Sequence, residues 1–276
     1  MISWPDKKLI VVPPLTVATE LAMQVRRCAF NEKYEKVPCN IEIVCKLGGF
    51  RVKHFRFVKS QNDHQALLVP IEDGNFEIIV DPSIRSVGNN ESDVVIPDLE
   101  LHRLRFRIAH EIGHSFFYDR NVRPPKRLID SGKQEELFCD HFASVLLVPP
   151  SVVATMPIKA SSVLKIRKLY SVSAEVAGRS LARMNPELTI IGLLWKSNPR
   201  NENEEMRVVW SDGPKFVPIG ARLKSTIVNS MRFRTEASGV ERLDVGGLRG
   251  NYSIDVVRPL NGNQVIAVIT PAQQSN

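Results

Sequence analysis

Apolar positions along the chain fall into two rhythms, one near 3.6 residues and one of two, and the switches between them outline the elements. Pro13 to Phe30 carries Val17, Leu21, Val25 and Phe30 about a turn apart, which predicts an amphipathic helix with Thr16 and Thr19 as candidate caps. Cys39 to Cys45 and Phe50 to Val58 alternate instead, and Gly48-Gly49 reads as a turn between two strands. Ala66 to Val69 and Phe76 to Val80 predict two further strands around Glu72-Asp73-Gly74, and a polar loop follows at Ser86 to Asp93. The helical rhythm then runs without proline from Leu99 to Tyr118, and again from Glu135 to Val148, where Pro149-Pro150 stops it. Ser161 to Tyr170 and Ala174 to Met184 form a helical pair joined by Ser171-Val172-Ser173. After Pro186 short β-rich runs take over, at Leu188 to Trp195, Arg207 to Trp210, Ser253 to Val257 and Gln264 to Thr270.

This pattern predicts an α+β chain in three parts. Residues 1–157 mix strands with long helices, 158–186 form a helical hairpin with the outline of a helix-turn-helix, and 187–276 form a mainly β or α/β module. A chain of 276 residues with 43% apolar residues can bury a core without disulfides, and its four cysteines lack CxxC spacing, so they read as reduced thiols. The most apolar stretch, Phe142 to Ile158, is broken by Pro149, Pro150 and Pro157 and falls short of the ~20 residues of a membrane span. Pro5 and three charges occupy the place where a secretory signal would be apolar, so a cytoplasmic protein with no membrane partner is expected.

Charge changes the picture in the second half. Residues 1–157 hold 20 basic and 20 acidic side chains, so the formal +7 comes from residues 158–276. Within 158–185 six basic residues face a single acid, Glu175. Such a stretch is either a solvated face or a contact for an acidic partner such as DNA, with Arg179 and Arg183, one turn apart, as the candidate phosphate contacts. No Asn or Gln stands in the second helix to read adenine, so the helical pair reads first as a packed hairpin.

The chemistry is concentrated in His110-Glu111-Ile112-Gly113-His114. On a helix the two histidines project from one face a turn apart, a spacing that lets both bind one Zn²⁺ at about 2.0–2.1 Å. Glu111, about 100° around the helix from His110, is placed as general base rather than as ligand. Gly113 costs about 1 kcal/mol in a helix interior, which is accounted for if a neighbouring element packs close to it. On the next helix Glu136 is the candidate third ligand, completing a His₂Glu set with one position open for water. Asp140, a turn further on, is placed to accept the remaining ring N–H of a histidine, His110 by expectation. Cys139 reads as a core residue, although it could reach a metal as a fourth ligand. Tyr118, four residues beyond His114 on the same helical face, is a candidate oxyanion donor or pocket wall.

Taken together, RFRIAHEIGHSFFYD, then Pro124-Pro125 and Arg127, then EELFCDHFASVLLVPP resemble the ImmA/IrrE family of zinc metallopeptidases. Matching positions are Arg105-Phe106, Ala109 to His114, Glu136, Cys139-Asp140, Phe142-Ala143 and Leu146 to Pro149; Cys139-Asp140 stands where many members have Ala-Asn. The resemblance covers Leu101 to Pro150 closely and fades after Pro186. It implies a zincin-like domain with one zinc per chain, His110, His114 and Glu136 as ligands and Glu111 as base. It further implies limited proteolysis of a helix-turn-helix transcriptional repressor in stress response, and 187–276 reads either as a sensor of the kind some members append or as an interaction or packing module. The alternative reading is a DNA- or repressor-binding regulator in which the zinc is structural or vestigial, and a non-peptide hydrolase is a third. A His₂Glu site would also accept manganese.

Overall fold

A computed structural model describes residues 4–35, 37–55, 66–81, 98–130, 132–195, 206–259 and 264–272, and the protein is of mixed α+β class. The polar loop expected at Ser86 to Asp93 and the strand end expected at 56–58 lie outside the described residues. The chain divides into two compact units, Met1–Pro149 with Tyr170–Val172, and Pro150–Leu169 with Ser173–Asn276. Both expected helices of the 158–186 segment belong, apart from the turn residues 170–172, to the second unit.

The first unit contains α1 (Leu15–Phe30), α2 (Ile41–Gly48), β1 (Phe50–His54), β2 (Ala66–Pro70), β3 (Phe76–Val80), α3 (Asp98–His114), the two-residue strands β4 (Tyr118–Asp119) and β5 (Lys126–Arg127), and α4 (Lys133–Leu147). Its sheet has the order β1-β3-β2, with β1 parallel to β3 and β2 antiparallel to it, so that β2 is an edge among the described residues. α3 packs against β2, β3 and α4, and α1 against α4. Of the stripe predicted for α1, Leu21 and Val25 are buried and Val17 and Phe30 are half-buried, and Ala18 and Ala22 complete the buried face. Aromatic edge-to-face pairs, Phe116 with Phe142 and Phe117 with Phe138, close the core beyond the end of α3. Arg26, fully buried, donates to the carbonyls of Tyr34, Val37 and Leu146, which is how a charge survives there.

One predicted strand is a helix. Cys39 to Cys45 alternates in polarity, yet Asn40 caps α2 by accepting from the backbone N–H groups of Glu42 and Ile43, and Gly49 ends it in a left-handed conformation (φ 71°). The alternation misled because Ile43 and Leu47 are exposed apolar residues on the outer face of α2.

The second unit contains α5 (Pro150–Val153), α6 (Ala160–Tyr170, its last residue grouped with the first unit), α7 (Ala174–Arg183), β6 (Thr189–Trp195), β7 (Met206–Asp212), α8 (Thr226–Asn229), β8 (Glu236–Val245), β9 (Leu248–Val257) and β10 (Gln264–Pro271). These five strands form one antiparallel sheet ordered β7-β6-β10-β9-β8. Ser173 caps α7 as its sequence suggests, accepting from Val176 N–H at 3.2 Å. α7 then packs on β6 and β7, and most of its residues, Ser180 included, are buried. A core of Ile191, Leu193, Val208, Ile254, Val256 and Ala267 is covered by Leu223, Val228 and Met231 from the segment that includes α8. β8 was not among the predicted strands.

Candidate metal centre

α3 and α4 approach closely at Gly113, where α3 has no side chain. A Cβ on Gly113 would lie 3.2 Å from the Cα of Cys139, so the glycine's cost in helix propensity is offset by close helix packing. This contact fixes how the polar residues of the two helices face each other. His110, Glu111 and His114 come from α3, and Glu135, Glu136 and Asp140 come from α4.

Both imidazoles turn Nε2 toward one point. His110 Nε2 lies 3.0 Å from His114 Nε2 and 3.1 Å from Glu136 Oε2, and His114 Nε2 lies 3.4 Å from Glu136 Oε1. Donor atoms around a tetrahedral zinc at about 2.0–2.1 Å sit about 3.3 Å from one another, so the three groups fit a metal ion with small adjustment. Ligand atoms of His110, Glu111 and His114 also lie within 4.8 Å of one another, a cluster that could hold a metal ion. The other ring nitrogens are tied back: His110 Nδ1 donates to Asp140 at 2.9 Å and His114 Nδ1 to Glu135 at 2.6 Å. Each bond selects the tautomer that leaves Nε2 available to a metal.

Behind His114 the support continues. Glu135 is fully buried and accepts both 2.9 Å bonds from Arg127 Nη2, while Arg127 Nη1 donates to the Tyr118 hydroxyl at 3.3 Å. Arg127 and Tyr118 are register partners in the β4–β5 pair.

These groups shift one another. Burial works against protonation of His110, but hydrogen bonds to Asp140 and Glu136 outweigh it and raise its pKa to about 9. His114 is raised in the same way, against burial, by Glu135 and Glu136. The two histidines hold the Glu136 carboxyl well below the usual range. Burial pushes Glu111 upward, opposed by both histidines and by a hydrogen bond from the Leu68 backbone. The Cys139 thiol is raised well above its ordinary value by burial.

The groups open into a cavity of about 540 Å³, walled by Leu67 and Leu68 of β2, by Phe106 and Arg107 of α3, and by Tyr118 and Arg127. His110, Glu111, His114, Glu136 and Asp140, singled out from sequence, all line it. Tyr118 lines it by a different route from the one expected. The helix ends at His114, a 3₁₀ turn follows over Ser115–Phe117, and Tyr118 is extended (φ −119°, ψ 145°) in β4 rather than on the helical face of His114. Cys139 is fully buried against Gly113 and is not among the cavity-lining residues. His141 meets Thr19 at 2.8 Å and is not among the cavity-lining residues. Glu135 was missed by the sequence reading. Its signals were the doubled acid Glu135-Glu136 and the nearby Arg127.

Arg179 and Arg183 belong to the second unit and are not part of this centre. Arg179 is half-buried and paired with Glu175 at 2.6 Å, and Arg183 is exposed at the end of α7. With Ser180 buried and bonded to the Val176 carbonyl, the face of α7 that carries it is not open to a nucleic-acid groove. Among the described residues no helix is long and apolar enough to cross a membrane.

Neither a family model nor a curated protein matches the chain. Among solved structures, a Mycobacterium tuberculosis transcriptional regulator is similar with a TM-score of 0.44 and 8% identity, over 92% of this chain and 76% of that one.

Proposed function

We propose that the protein is a zinc-dependent endopeptidase of the ImmA/IrrE type, that its first unit is zincin-like, and that it cleaves a helix-turn-helix repressor by limited proteolysis. The observation that carries this reading is the convergence of two Nε2 atoms and the Glu136 carboxylate, 3.0 to 3.4 Å apart, beside a buried Glu111. His110, His114 and Glu136 would hold the metal. Zinc bound there would supply a Lewis acid and lower the pKa of a water toward neutrality. Glu111, its basicity increased by burial, takes the proton of the attacking water and returns it to the leaving amine. Asp140 and Glu135 keep the two imidazoles in the tautomer that presents Nε2. Tyr118 stands on the cavity wall, where its hydroxyl, oriented by Arg127, can donate to a developing oxyanion.

A peptide substrate suits the cavity because β2 is an edge strand, and an extended chain can pair with such an edge through its backbone. The identity of the repressor rests on the sequence resemblance alone.

Glu111→Gln is the test. It should retain about one zinc per chain by metal analysis and lose roughly 10²–10⁴-fold of cleavage of a helix-turn-helix repressor substrate. Activity within a few-fold of wild type would end the assignment of Glu111. Absence of any bound metal in the wild type would end the reading as a whole.

A further inference from the structure

The five-stranded sheet of the second unit treats its two edges differently. Along β7 the chain covers its own edge: Val208 N–H donates to the Ala221 carbonyl at 3.0 Å, Gly220 N–H to the Val208 carbonyl at 2.8 Å, and Arg207 bridges to Arg222. Along β8, ten residues long, no backbone partner meets the outer edge among the described residues. A long uncovered edge is a template for another strand, and proteins that stay single commonly blunt it with charged side chains, proline or a bulge. β8 contains no proline, its pairing with β9 runs without a bulge from Glu236 to Val245, and the charges at its free edge, Glu236, Arg242 and Asp244, are of both signs, so that a suitable register pairs them.

The hairpin turn sets which groups face outward. Val245 and Leu248 flank the two-residue turn Gly246-Gly247, with Gly246 at φ 56°, and such a flanking pair exchanges its backbone hydrogen bonds. Counting back by twos, Leu243, Glu241, Gly239 and Ala237 also direct N–H and C=O toward β9. Asp244, Arg242, Val240, Ser238 and Glu236 therefore direct theirs to the free edge. The side chains of these five residues share one face and are exposed, Val240 by 65%.

We infer that a second copy of this chain pairs with β8 antiparallel about Gly239, joining the two sheets into one of ten strands. In this register Glu236 stands opposite the partner copy's Arg242 and Ser238 opposite Val240, each twice by symmetry. Centring the pair on Val240 would instead set Glu236 against Asp244, like charges directly opposed, and centring it on Ser238 would leave Arg242 with no opposite residue in β8. At the axis Gly239 meets Gly239 in a non-hydrogen-bonded pair, where Cα atoms approach to about 4.5 Å and the lack of a side chain is an advantage. This inference does not depend on the metal centre.

The test is sedimentation equilibrium of the full chain, with charge variants. Wild type should approach twice the 31.1 kDa chain mass at high concentration. Glu236→Arg and Arg242→Glu, each alone, should weaken the dimer by roughly tenfold or more, because two attractive pairs become repulsive. The double variant should restore it. Val240→Pro, which removes an outward N–H from an edge strand, should yield a folded monomer. A wild type that stays monomeric at its solubility limit would overturn the proposal. So would a dimer in which the double variant is no tighter than either single one, or one that survives Val240→Pro.

Discussion

His110 and His114 present the same nitrogen to the same point, but the regions behind them are built differently. Behind His110 stands Asp140, whose side chain is 44% exposed and which water can replace in part. Behind His114 stands Glu135, 0% exposed, with Arg127 bonded to both of its oxygens and Tyr118 bonded to Arg127. Glu135 and Glu136 are neighbours in sequence, yet one is sealed in the core and the other is 58% exposed and faces the cavity. One histidine is thus held by a solvated carboxylate and the other by a fully buried one, which Arg127 clamps from its exposed side, and the second arrangement should hold its ring more tightly.

The largest break in this comparison comes from Glu136→Ala. It removes the group on which both arms converge, and metal analysis should find the bound ion lost. Next comes Glu135→Ala, which releases His114 and leaves the Arg127 guanidinium facing a void; metal affinity by competition with a chelator should fall about 100-fold. Asp140→Ala should cost nearer tenfold, because water takes over part of the role. Equal losses from the two would show that burial of the supporting carboxylate is irrelevant.

A smaller effect comes from pH. Without metal, His110 has a folded pKa raised from 6.5 to about 9, so its contribution to stability is fully present below pH 6.5 and lost as pH rises through 9. Metal binding has the opposite sign, since a ligating imidazole must first lose its proton. The rise in Tm on adding zinc should therefore grow from pH 6.5 to 9. In Asp140→Ala, where His110 keeps less of its shift, that growth should flatten; an unchanged slope would detach it from this arm.

Sequence made the centre legible because its chemistry repeats at a helical period. His110, His114, Glu136 and Asp140 stand at i, i+4 spacings within apolar stretches, and periodicity is what carries from sequence to structure. Glu135 was not legible, since no periodicity separates two adjacent acids, and only the position of β5 brings Arg127 to one of them. Tyr118 lay beyond a helix end that no glycine or proline marks. α2 was hidden by Ile43 and Leu47, apolar residues turned outward on a helix of eight. β8 was hidden for the opposite reason: four of the five residues on its outer face, Glu236, Ser238, Arg242 and Asp244, are polar, and strand-like apolar alternation is reduced to a single side.

Gly113 bears on more than packing. The distance between the two halves of the centre is set by a contact of bare backbone against Cys139, with no polar atom taking part. One methyl group there would act as a shim, spreading α3 from α4 by a few tenths of an ångström and lengthening the reach from Glu136 to both histidines together. The centre's tolerance for ions of different radius is thus written into a residue that touches none of them, and a glycine-to-alanine change would retune that tolerance without altering a single ligand.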